Sequence, residues 1–104
     1  MRVKITVNDH GNPPGKVADA ELIFEGDGDG VLAGLKLIGF GVWERPHNRG
    51  ELNVTFPARQ YSVNGERRSF ALLRPVDLDG QGAHQAVKQA IIDAYRAAVE
   101  VANV

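Results

Sequence analysis

GAHQAVKQAIIDAYRAAVEVA, residues 82–102, is the stretch in which apolar side chains recur at intervals of three and four. Ala83, Val87, Ile91, Ala94, Ala98 and Ala102 fall on one stripe, and Gln85, Gln89, Asp93, Arg96 and Glu100 fall opposite. That spacing predicts an amphipathic helix with one face toward a core. Lys88, Ile92, Tyr95 and Val99 run along one shoulder of the stripe. Its apolar members exceed what a single core needs, so Ile92, Tyr95 and Val99 are candidate contacts with a second copy of the chain.

Upstream of the helix the period changes to two, the signature of strands with one wet face. Leu52, Val54 and Phe56 alternate with Glu51, Asn53 and Thr55, and Pro57 ends the run. Asn64-Gly65 is the strongest turn signal in the chain, because both residues tolerate the positive φ of a type I′ hairpin turn. A last strand is expected over 68–74, around Phe70, Leu72 and Leu73. Nearer the N-terminus, Val3, Ile5 and Val7 alternate with polar residues, and Ala18, Ala20, Leu22 and Phe24 do so within 16–25. Residues 31–42, VLAGLKLIGFGV, are apolar enough to predict a central strand covered on both faces, with 44–50 as a polar loop after it. About five strands followed by one C-terminal helix, without βαβ alternation, predict an α+β fold with the helix packed on an antiparallel sheet.

With 104 residues the chain is expected to be one domain spanning 1–104. The absence of cysteine excludes disulfides, thiol nucleophiles and Cys-ligated metals, and suits a reducing, cytoplasmic setting. Uncharged runs reach only the eight residues of 80–87, too few for a membrane span, and the alternating N-terminus lacks the apolar run of a secretory signal. No membrane association is expected.

Net charge is −1, but it is unevenly spread. Residues 1–30 set Arg2, Lys4 and Lys16 against Asp9, Asp19, Glu21, Glu25, Asp27 and Asp29, whereas 31–75 set Lys36 and six arginines against Glu44, Glu51 and Glu66. The basic middle is where a phosphate-binding surface is expected, since guanidinium forks grip phosphates bidentately. Arg59, Arg67 and Arg68 flank the Asn64-Gly65 turn, so a hairpin gathers them, with Tyr61 beside them as a platform for stacking bases. Arg45, Arg49, Lys88 and Arg96 are possible additional contacts, and Trp43 is a second aromatic able to stack.

Catalytic signals are missing. His10, His47 and His84 do not cluster, and Asp27-x-Asp29 opens like a calcium loop but has Ile38 at the twelfth position instead of a glutamate. Asp77-x-Asp79 precedes the helix and reads as capping. Ser62 and Ser69 lack a nucleophile elbow, and no phosphate-cradling glycine motif occurs. The residues therefore point to no enzyme, no metal, no cofactor and no small-molecule substrate.

Leu35-Lys-Leu-Ile, Asn53-Val-Thr-Phe-Pro57-Ala-Arg59, Asn64-Gly-Glu-Arg67, Arg74-Pro75-Val76 and Ala90-Ile-Ile-Asp-Ala-Tyr95-Arg96 together give the chain its most specific pattern. In order and spacing it resembles the stage V sporulation protein G (SpoVG) family of bacterial septation regulators, over about 16 to 96. The resemblance implies a small antiparallel sheet with a C-terminal helix, assembled as a homodimer that binds DNA and RNA as a regulator. It places basic residues after the Phe-Pro step and in the following hairpin, which Arg59, Arg67 and Arg68 match. The 44–50 loop is longer than the family pattern, Gln60-Tyr61 replaces a common basic position, and binding is expected to be weak. A non-catalytic protein-interaction or scaffold module on the same fold is the alternative.

Overall fold

In the computed structural model, which describes residues 1–77 and 81–102 apart from the side chains of Arg49, Gln81 and Ala102, the core is assembled around β2 (Lys16–Ile23). Its inward positions, Ala18, Ala20 and Leu22, are each no more than 2% exposed. β1 (Arg2–Val7) pairs antiparallel on one side and β3 (Lys36–Arg45) on the other, with β4 (Asn48–Thr55) outside β3. Phe40 and Val42 of β3 and Val54 of β4 face the same way as the β2 trio. α1 (Gln81–Ala102) lies over that face and sends Ile91 into the cluster, fully buried. The small alanines of β2 leave room in one layer for the larger Phe40 and Ile91, which interlock at the density interiors require. The buried cluster thus lies on one face of the sheet; the other carries Trp43 together with carboxylates paired to lysines, Lys16–Asp19 and Lys36–Glu21.

The fold class is α+β, as expected, but six strands form two sheets. The additional strand is β5 (Ala58–Val63), which pairs only with β6 (Glu66–Ala71). Pro57 causes the division: without an N–H it ends β4, and it packs so closely that a Cβ on Gly39 would sit 2.9 Å from its own Cβ. The chain then leaves the sheet and folds back as a two-stranded arm. Leu72 N–H donates to the Pro57 carbonyl at 2.9 Å and closes the arm's base. The last strand accordingly occupies 66–71 rather than 68–74.

Two further boundaries differ from expectation. The apolar run from 31 is no two-sided strand: residues 27–32 form a 3₁₀ turn, Val31 is 97% exposed, and β3 begins only at Lys36. Gly30 and Gly34, at φ 55° and 91°, bend this segment into turns closed by Ala33 N–H to Gly30 O and Gly34 N–H to Phe24 O. The 44–50 stretch is not a long loop either. β3 and β4 run to a two-residue turn at Pro46-His47, and the Arg45–Glu51 ion pair bridges them at 3.1 Å.

α1 matches its expected span and its wet face is exposed throughout. Ala83, which the spacing assigns to the apolar stripe, is exposed. Ile92 and Tyr95 pack against the chain's own core, and Val99 is half-buried. The shoulder expected to meet a second copy is therefore partly used within the chain. Burial, and secondarily the Glu44 carboxylate, pushes the Tyr95 phenol above its ordinary range. Exposed apolar area lies elsewhere, at Leu32, Leu35, Ile38 and Leu72 besides Val31. Of the capping pair, Asp79 lies outside the described residues.

Candidate nucleic-acid interface

The arm's register decides which of its side chains share a face. Arg59 is opposite Phe70, Tyr61 opposite Arg68 and Val63 opposite Glu66, so these six form one face. Tyr61 and Phe70 meet diagonally with ring centroids 5.7 Å apart and planes tilted by 59°. Arg59 and Arg68 therefore flank an aromatic pair on an exposed surface, a basic and stacking combination suited to unpaired bases and their phosphates. Arg68 makes one 3.4 Å contact with Glu66, both well exposed, and a pair of that kind contributes little.

Arg67 stands on the other face. Gln60, Ser62 and Ser69 share that side, and shallow clefts of about 190 and 290 Å³ run beside Arg67. The hairpin thus gathers Arg59, Arg67 and Arg68 on one arm, as expected, yet divides them two to one between its faces. Phe70, read from the sequence only as a strand centre, proves to be the fourth member of the aromatic–basic face. A two-residue loop at 64–65 already implies the 59–70 and 61–68 pairings, so this signal was present in the sequence.

Arg45 and Arg96 do not join the arm. Arg45 sits at the far end of β3, engaged with Glu51. Arg96 Nη2 reaches the Gly50 carbonyl at 3.5 Å, near the start of β4. Since β4 rises about 3.3 Å per residue, its eight residues hold that end roughly 25 Å from the arm. Lys88 is half-buried on α1, and the Arg49 side chain lies outside the described set.

Among the described residues, no group of three or more histidine, aspartate or glutamate side chains is placed to hold a metal ion. His84 Nε2 lies 3.0 Å from the Leu73 carbonyl and its ring packs on Phe56, tying the helix start to the arm's exit. Asp29 is held below the usual carboxylate range by the N-terminal ammonium, 2.9 Å away, and by the Glu25 N–H, against a smaller opposing effect of burial. No helix of the described residues is long and apolar enough to cross a membrane. No protein-family model, curated protein or solved structure matches this chain.

Proposed function

We propose that the chain is a cytoplasmic, homodimeric nucleic-acid-binding regulator of the kind the SpoVG-like pattern implies, contacting DNA or RNA through the β5–β6 arm. The observation that carries this reading is the exposed face on which Arg59 and Arg68 flank Tyr61 and Phe70. Two guanidinium groups and two stackable rings within one ribbon favour single strands, whose bases are free to stack. Net charge −1 and the acidic blocks outside the arm weaken the attraction, so affinity is on the order of micromolar at physiological salt.

Titration with single- and double-stranded fragments at two salt concentrations tests it. Each phosphate neutralised on a single strand contributes about 0.7 to the slope of log affinity against log salt, so a few contacts give a shallow slope. Arg59→Glu with Arg68→Glu abolishes binding, and Arg67→Glu alone weakens it less. A parent chain that binds no fragment at low salt overturns the reading. The alternative, a self-associating interaction module, draws support from the exposed Val31, Leu32, Leu35, Ile38 and Leu72.

A further inference from the structure

The β1–β2 connection and the β3–β4 turn enclose an open cleft of about 640 Å³, within the size range of ligand pockets. Trp43 forms its floor, with Pro14 and Pro46 as apolar walls. The indole is fixed before any ligand arrives. Its Nε1–H donates to Thr55 Oγ1 at 2.9 Å, and the missing side chain at Gly41 leaves space for it, since a Cβ there would lie 2.8 Å from Nε1. Gly15 backs the ring, where an added Cβ would lie 3.8 Å from Cε3. A platform held this way loses little freedom on binding, the condition under which stacking yields net affinity.

Asn53 is the cross-strand partner of Trp43, so its amide stands beside the ring on the same face and lines the cleft. Among the described residues that amide makes no side-chain hydrogen bond. An amide offers a donor and an acceptor side by side, the pattern that matches N6–H and N7 of adenine. Besides His47, the ionisable lining residues are Glu44 and Arg45, and Arg45 also meets Glu51 at 3.1 Å. With two carboxylates beside one guanidinium, the fixed charge here does not favour an anionic group. We infer that the Trp43–Asn53 cleft binds a planar nitrogen heterocycle without an anionic group, of the purine nucleoside class, stacked on the indole and read by the Asn53 amide.

The single tryptophan makes the test direct. Adenosine added to the full chain should quench Trp43 fluorescence saturably and shift its lone indole N–H resonance, with a dissociation constant on the order of millimolar. Ribose should do neither, and adenosine monophosphate should bind no tighter than adenosine. Asn53→Ala, an exposed position, should weaken binding about fivefold with the melting temperature unchanged. The Arg59→Glu/Arg68→Glu chain should bind adenosine as the parent does, which separates this site from the proposed nucleic-acid face. No shift at about ten times the expected constant overturns the inference. So does a tenfold preference for the monophosphate, a response to an oligoproline peptide in place of adenosine, or loss of adenosine binding in a folded arm variant.

Discussion

Gly41 and Trp43 depend on each other, because the indole occupies the space a side chain at 41 would take. In Gly41→Ala the new Cβ would meet Trp43 Nε1 at 2.8 Å and Thr55 Oγ1 at 2.9 Å. Overpacking of that kind costs about 1–3 kcal/mol, read as a lower denaturation midpoint together with a shifted tryptophan emission. Asp29 sets a second dependence at this scale. Its folded pKa is depressed by the N-terminal ammonium and the Glu25 N–H below the ordinary 3.8. The native state therefore releases the Asp29 proton more readily than the unfolded chain does. The stabilisation is complete above pH of about 4 and disappears as pH falls through the folded value. Melting temperature followed down through this acid range should fall less steeply in Asp29→Asn than in the parent.

Elements differ in how far they depend on the core. A two-stranded ribbon is marginal on its own in water, and apart from Ala71 every residue of β5 and β6 is exposed. The arm persists through its turn, where Asn64 and Gly65 adopt φ of 52° and 81°, through the Tyr61–Phe70 pair, and through the bond that closes its base. Gly65→Ala places a Cβ in the left-handed region at about 1–2 kcal/mol. Because the arm adds nothing to the core, that cost should appear as faster amide exchange across 58–71 with little change in global melting. If the arm binds nucleic acid as proposed, the same substitution should weaken that binding by disordering the Arg59–Tyr61–Arg68–Phe70 face.

For the whole molecule, cooperativity rests on the layer between α1 and the four-stranded sheet. Ile91→Ala opens a cavity at its centre and should lower stability by about 2–5 kcal/mol, whereas Arg59→Glu and Arg68→Glu should leave the melting temperature within experimental scatter. Self-association also belongs to this scale. The proposed dimer would cover the exposed 31–38 segment and Leu72, so sedimentation at micromolar concentration should give twice the chain mass; monomer mass counts against the dimer. Charge substitutions at Leu35 and Ile38 should shift that equilibrium toward monomer more than substitution of Val99, which is half-buried.

Periodicity determined the helix and its wet face and the inward positions of β2, and residue type determined the end of β4 at Pro57 and the Asn64-Gly65 turn. Each depends on interactions among residues near in sequence or on the intrinsic φ range of a single residue. Gathering three arginines on one hairpin was equally legible, and so was the pairing of Phe70 with Arg59, had the register been carried through. Tertiary structure decided the rest. Whether 31–35 continued as strand depended on how Gly30 and Gly34 bent the chain against Phe24, a choice their permissive dihedrals leave open. The Trp43 cleft needs three segments, around residues 14, 43 and 53, whose meeting follows from strand order. The division into two sheets reflects close packing between Gly39 and Pro57, eighteen residues apart, which no local pattern encodes because it exists only once β3 and β4 are paired.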